Sequence, residues 1–140
     1  MGDASVDTPA LVRRLVLVID THDVRRRSVM EAIRAASCVP VPWVPFGACQ
    51  PLVERTRLSD ATVGFRAMVV TATVVWRYLG LPYLFDQLRR MPPLPIVVLE
   101  DAPLLGEARG QIARAGIPVL SGALRIRGDV TRWLRGEMPQ

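Results

Sequence analysis

The stretch LVLVIDTHDVRRR, residues 15–27, passes from an apolar run into two acids, the single histidine of the chain and three arginines. Its first five residues are valines, leucines and isoleucine without a polar interruption, which is typical of a strand buried on both faces of a sheet. After Asp23, a residue type that caps helices, Val29, Ile33 and Ala36 recur at helical spacing. The stretch therefore predicts a central strand followed by a helix.

The same alternation recurs along the chain. Apolar runs at residues 67–71 and 96–99 predict two further buried strands, and IPVLSG, residues 117–122, predicts a short last strand. The segment VPVPWVPF, residues 39–46, favours strand structure, but its three prolines confine that strand to the edge of a sheet. Five strands that alternate with helices predict a parallel sheet covered on both faces. With the proline-bearing strand at an edge, the order is 2-1-3-4-5, the flavodoxin-like doubly wound α/β fold.

The connecting segments are predicted as helices around residues 49–57, 81–90, 105–115 and 130–134, with a polar loop at 58–64. Gly116 is placed to end the third of these helices, and Asp129 to cap the last. The apolar positions that repeat at helical spacing are Leu81, Leu84, Phe85, Leu88, Leu105, Ala108, Ile112, Ala115, Val130, Trp133 and Leu134.

The length of 140 residues fits one domain, which we place at residues 13–136 between a flexible tail (1–12) and a second tail or linker start (137–140). The acidic opening does not resemble a secretory signal, and the longest apolar run is far short of the ~20 residues that cross a bilayer. We therefore expect a soluble cytoplasmic protein without a membrane partner. Cys38 and Cys49 form no CxxC pair, so neither a metal site nor a disulfide framework is predicted.

All eighteen basic residues are arginines, no lysine occurs, and the formal net charge is +5. A basic balance allows contact with acidic proteins, nucleic acid or anionic surfaces. It says nothing about the fold.

The segments VLVIDTHDVRRRSVMEAIRAA (16–36) and LRRMPPLPIVVLE (88–100), together with the spacing of the elements, resemble the receiver domains of bacterial two-component response regulators. The resemblance covers nearly the whole chain, from residue 15 to about residue 135. It implies a crevice at the carboxyl ends of the strands in which an aspartate accepts a phosphoryl group beside Mg²⁺.

The residues that match the phosphorylation pocket of receivers depart from the family pattern. Asp20 matches the first acid of the metal pair, but Thr21 follows it. Thr71 occupies the position at which the family has the phosphate-accepting aspartate, and Glu100 occupies the position of the family's Ser or Thr. Ser121 or Gly122 stands where the family has a lysine. Each departure removes one electrostatic component of phosphoryl transfer, so the resemblance implies a degenerate receiver that is not switched by a kinase.

A second resemblance concerns the segment DTHDVR, residues 20–25, which partly matches the Asp-x-His-x-x-Gly signature of cobalamin-binding domains. Asp20 and His22 fit that signature, whereas Arg25 replaces its glycine and would fill the space of the lower tail of the cofactor. The alternative interpretation is that His22 lies in a loop and bonds locally.

If Mg²⁺ and phosphate do not act in the crevice, a cation other than the metal ion must balance its carboxylates, because like charges at close range oppose ionisation. Asp20, Asp23, Glu100 and Thr71 are expected to cluster at one rim. Arginine is the nearest cation, so we predict an ion pair between Asp20 and Arg25 or between Asp23 and Arg26 in place of a metal.

The function predicted from these residues is a non-enzymatic, phosphorylation-independent signalling or transcription-regulatory module that acts through protein contacts, including a homodimer. The expected interface is the C-terminal face, with Arg125, Arg127, Arg132 and Trp133, although Trp133 also fits the core. An output module beyond Gln140 or the basic surface could provide contact with nucleic acid. No nucleophile is paired with a base, so we expect no enzyme and no cofactor. The alternative is a sensor of a cobalamin-like or nucleotide-like ligand in the same crevice.

Overall fold

A computed structural model describes residues 8–43, 51–104, 106–121 and 125–137. Its five strands pair in parallel in the order β2-β1-β3-β4-β5, which confirms the predicted flavodoxin-like α/β fold. The strands are β1 (Leu15–Ile19), β2 (Val39–Pro42), β3 (Ala67–Thr71), β4 (Ile96–Leu99) and β5 (Val119–Leu120).

Helices cover both faces of the sheet. They are α1 (Thr8–Val12), α2 (Asp23–Ala35), α3 (Pro51–Ala61), α4 (Ala72–Val74), a π-helical segment (Val75–Leu79), α5 (Leu81–Arg89), α6 (Gly106–Arg114) and α7 (Ile126–Leu134). Alternate strand residues face opposite ways, so Val16 and Val18 belong to the core cluster that includes α2 and α7, while Leu17 and Ile19 belong to the cluster that includes α3, α5 and α6. The three central strands are therefore buried on both faces, as their unbroken apolar runs predict.

Strand β2 lies at the edge of the sheet although it contains two prolines. The backbone N–H groups of Val39 and Trp43 donate to the carbonyls of Arg14 and Val18, both at 2.9 Å. The hydrogen bonds of such a ladder repeat every two residues, so the backbone N–H of Val41 points to β1 as well. The backbone nitrogens of Pro40 and Pro42 face away from β1. The missing donors therefore fall on the open edge, where no strand needs them.

Several predicted details were wrong. The N-cap of α2 is His22 and not Asp23, and Asp129 lies within the first turn of α7 rather than before it. Residues 58–61 belong to α3 instead of a loop, because Leu58 is buried in the core. The tail predicted at 1–12 contains α1 in its last five residues, and α4 with the π-helical segment was not predicted.

Other predictions were confirmed or cannot be compared. Gly116, with φ of +77°, follows the end of α6 as expected. Gly122 and the predicted positions 44–46, Cys49 and Leu105 lie outside the described residues. Within the described ranges, no helix is long and apolar enough to cross a membrane.

The edge arrangement of β2 predicts opposite effects for two similar substitutions. Val41→Pro removes a donor that points to β1 and should lower the free energy of unfolding by at least about 2 kcal/mol. Pro42→Val restores an N–H that faces the open edge and should change it by less than about 1 kcal/mol. Urea denaturation measures both variants, and equal losses would contradict the assigned direction of the ladder.

Candidate functional site

The site begins with Asp20, the first residue after β1, whose side chain is only 1% exposed. Its carboxylate receives two hydrogen bonds from the guanidinium of Arg25, from Nε to Oδ2 at 2.5 Å and from Nη2 to Oδ1 at 2.7 Å. The backbone N–H of His22 donates a third to Oδ1 at 2.9 Å. A planar guanidinium matches a carboxylate in this two-point geometry, so the pair is both strong and fixed in orientation.

The start of α2 places Arg25 over this carboxylate. His22 is extended and its Nδ1 accepts from the backbone N–H of Arg25 at 3.2 Å, which caps the helix. Arg26 donates to the carbonyl of Asp20 at 3.0 Å and pairs with Asp23 at 2.6 Å. The structure thus contains both predicted ion pairs, one with a buried carboxylate and one on the surface, where the Asp23 side chain is 68% exposed.

Asp101 is the member of the site that sequence reasoning missed. Its Oδ2 lies 3.4 Å from Nη2 of Arg25, and its Oδ1 accepts from the backbone N–H of Thr73 at 3.0 Å. The signal was present in the sequence, because two acids follow β4 and only Glu100 was considered. Arg25 therefore joins the segments that follow β1 and β4, and Asp101 extends this connection to the segment that follows β3.

Arg25 is held in its charged state by these neighbours. The hydrogen bond to Asp20 raises the pKa of Arg25 above its ordinary value against the opposing effect of burial, and the charges of Asp20 and Asp101 add to the rise. The guanidinium is thus a permanent cation between two carboxylates. Within the described residues, no group of three or more His, Cys, Asp or Glu side chains is arranged to hold a metal ion.

Thr71, at the position of the phosphate acceptor in the resemblance, is fully buried. Its hydroxyl oxygen accepts from the backbone N–H of Val74 at 3.2 Å and so caps α4. The side chain has a structural role at the carboxyl end of β3. A hydroxyl that is buried and already bonded is poorly placed to react.

Glu100 and Ser121 form a separate cluster with Arg109. The Ser121 hydroxyl donates to Oε1 of Glu100 at 3.1 Å, and Nη1 of Arg109 donates to Oε2. Loss of hydration opposes ionisation of Glu100, but these two bonds and one from the backbone of Leu104 outweigh it and lower the pKa of Glu100. Among the described residues, Glu100 shares no hydrogen bond or ion pair with Asp20 or Asp23, so its contacts are separate from theirs. Thr21 is exposed.

The predicted C-terminal interface lies mostly on α7. Arg125, Arg127 and Arg132 are exposed, and the last two are paired with Glu31 and Asp129. Trp133 is half-buried and packs against the core cluster of the α2 and α7 layer. This tryptophan therefore contributes to the core, which is one of the two positions that its spacing allows, while part of it stays accessible.

Comparison with known proteins adds no relative to this geometry. No protein-family model, no curated protein and no solved structure matches the chain.

The burial of Asp20 predicts unequal effects for the two partners of its ion pair. Arg25→Ala leaves a buried carboxylate unpaired and should lower the free energy of unfolding by about 3 kcal/mol or more. Asp20→Ala should cost less, because the Arg25 side chain is 25% exposed and retains Asp101. Denaturation by guanidinium chloride of both single variants and of the double variant gives the coupling free energy between the two side chains. This coupling should exceed about 1 kcal/mol.

Asp23→Ala is the matched control, since it breaks an exposed pair one residue from the helix cap and should cost less than about 1 kcal/mol. Additive effects of Asp20→Ala and Arg25→Ala, or equal losses for Asp20→Ala and Asp23→Ala, would contradict the assigned role of the buried pair.

Proposed function

We propose that this protein is a receiver-like regulatory module whose state does not depend on phosphorylation and which acts through contacts with other proteins or with a second copy of itself. The observation that carries the proposal is the two-point pair between Arg25 and Asp20. In receivers, by resemblance, the equivalent crevice receives Mg²⁺ and a phosphoryl group. Here a side chain of the protein supplies the positive charge.

The other positions of the pocket support the same proposal. Phosphoryl transfer needs a carboxylate acceptor, a metal and donors that stabilise the transferred group. Thr71 offers a buried, bonded hydroxyl where the acceptor is expected. Glu100 places a negative charge where a phosphate-contacting hydroxyl is expected, and that charge is bound by Arg109. A module with these properties is expected to present one fixed surface to its partners.

The exposed arginines of the α7 region favour protein contact as the output. Arg125 forms no ion pair within the described residues, and Trp133 exposes part of an aromatic ring beside Arg132 in sequence. Arginine and tryptophan are the residue types that dominate binding energy at interfaces. A ligand sensor in the crevice is a weaker proposal, because Arg25 occupies the space beside Asp20 and His22 uses Nδ1 to cap α2.

The proposal predicts that acetyl phosphate with Mg²⁺ leaves the protein unchanged. Intact mass should show no added phosphoryl group, and sedimentation should give the same distribution of species with and without the reagent. A receiver with its full set of acidic residues, treated in parallel, serves as the positive control. A stable adduct on this protein, or a change in its assembly upon treatment, would contradict phosphorylation independence.

A further inference from the structure

A group of arginines that the proposed function does not use lies opposite the crevice, where the strands of the sheet have their amino ends. Arg14 and Arg66 immediately precede β1 and β3, so both lie at the amino ends of the strands. Helices α2 and α7 run back from the carboxyl edge and end at the same place, where they contribute Arg34 and Arg135. These four residues are called the amino-edge arginines below.

Three hydrogen bonds hold the side chains of Arg14, Arg66 and Arg135 around the ends of α2 and α7. Nε of Arg14 donates to the carbonyl of Ser37 at 3.1 Å, and Nη2 of Arg135 donates to that of Ala35 at 2.8 Å. Nη2 of Arg66 donates to the carbonyl of Leu134 at 2.7 Å, next to Arg135 in the chain. Carbonyls at helix ends lack partners within the helix and are free to accept hydrogen bonds. Each of these three guanidinium groups donates one hydrogen bond to such a carbonyl. Each guanidinium carries five donors, so most of them remain available to a ligand.

The four amino-edge arginines differ in their charge balance from the arginines that are bound to acids. Among the described residues, six arginines form ion pairs with carboxylates: Arg25, Arg26, Arg89, Arg109, Arg127 and Arg132. Within the described ranges, none of the four amino-edge arginines pairs with a carboxylate, and all four are exposed. Part of the net charge of +5 is therefore concentrated at this edge and left unbalanced.

The chemistry of the surface favours phosphate as its ligand. The exposed residues directly next to these arginines along the chain are Arg13, Ala35 and Gly136, and none of them has a large apolar side chain. A protein partner gains most of its binding energy from apolar or aromatic groups that fill pockets, and these neighbours provide none. Guanidinium groups bind phosphate oxygens at two points, and contacts to the backbone of a nucleic acid need no such pockets.

We propose that the amino-edge arginines bind the phosphate backbone of double-stranded nucleic acid without reading its sequence. Binding of this kind releases counterions, so its affinity falls steeply with salt. The inference does not depend on phosphorylation independence or on the α7 interface. It would hold for this chain even if the crevice proved reactive.

Fluorescence anisotropy of a labelled 20-base-pair DNA duplex tests the proposal with the full chain. Four phosphate contacts predict a slope of about −3 to −4 for the logarithm of the association constant against the logarithm of the salt concentration. Two duplexes of different sequence should bind equally. The double variant Arg34→Gln/Arg135→Gln should reduce the magnitude of the slope by about 2.

The matched control is Arg57→Gln/Arg77→Gln. It removes the same charge from two exposed arginines of α3 and the π-helical segment, which also lack a carboxylate partner within the described residues. Its slope should equal that of the wild type. If the double variant of the amino edge unfolds, Arg34→Gln alone should still reduce the magnitude of the slope by about 1, because the side chain of Arg34 makes no described hydrogen bond.

Three results would overturn the inference. The first is absence of duplex binding at low salt, and the second is equal weakening by the control variant. The third is binding of polyglutamate of matched charge as tightly as the duplex, which would identify an acidic protein as the partner instead.

Discussion

The arrangement of the carboxyl edge depends on how the protein keeps a charged carboxylate, Asp20, out of water. An unpaired buried charge costs several kcal/mol, whereas a pair with good geometry recovers most of that cost. Arg25 meets Asp20 at two points and extends to Asp101, so one guanidinium satisfies acids that follow different strands. The pair contributes little net stability relative to an apolar core. Its effect is to fix the crevice in one arrangement.

The neighbouring contacts follow from this constraint. His22 must cap α2 so that the first turn presents Arg25 to the carboxylate, and Arg26 bonds the carbonyl of Asp20 from the same turn. Asp101 in turn holds the backbone N–H of Thr73, at the point where β3 passes into α4. The segments after β1, β3 and β4 are thereby connected without a metal or a phosphoryl group. A switch needs two arrangements of comparable free energy, and these contacts favour one.

The local sequence pattern was sufficient to predict the sheet. Apolar runs and the prolines of β2 determine the structure of the short segments in which they occur. It was also sufficient for the Asp20–Arg25 pair, which spans one helical turn. It failed for Asp101, because the contact of Arg25 with Asp101 joins residues 76 positions apart. It failed at residues 58–61 as well, since the burial of Leu58 depends on packing against the sheet and not on the polar residues around it.

The buried ion pair makes Arg25 a permanent part of the crevice. The Nε–H of Arg25, bonded to Asp20, can be followed by proton–nitrogen NMR while magnesium and beryllofluoride, a mimic of the phosphoryl group, are added. We expect a protected signal that neither addition shifts and that Arg25→Lys removes. Rapid exchange of this proton in the free protein, or a shift of its signal by the two additions at stoichiometric concentration, would show that Arg25 is not a fixed part of the crevice.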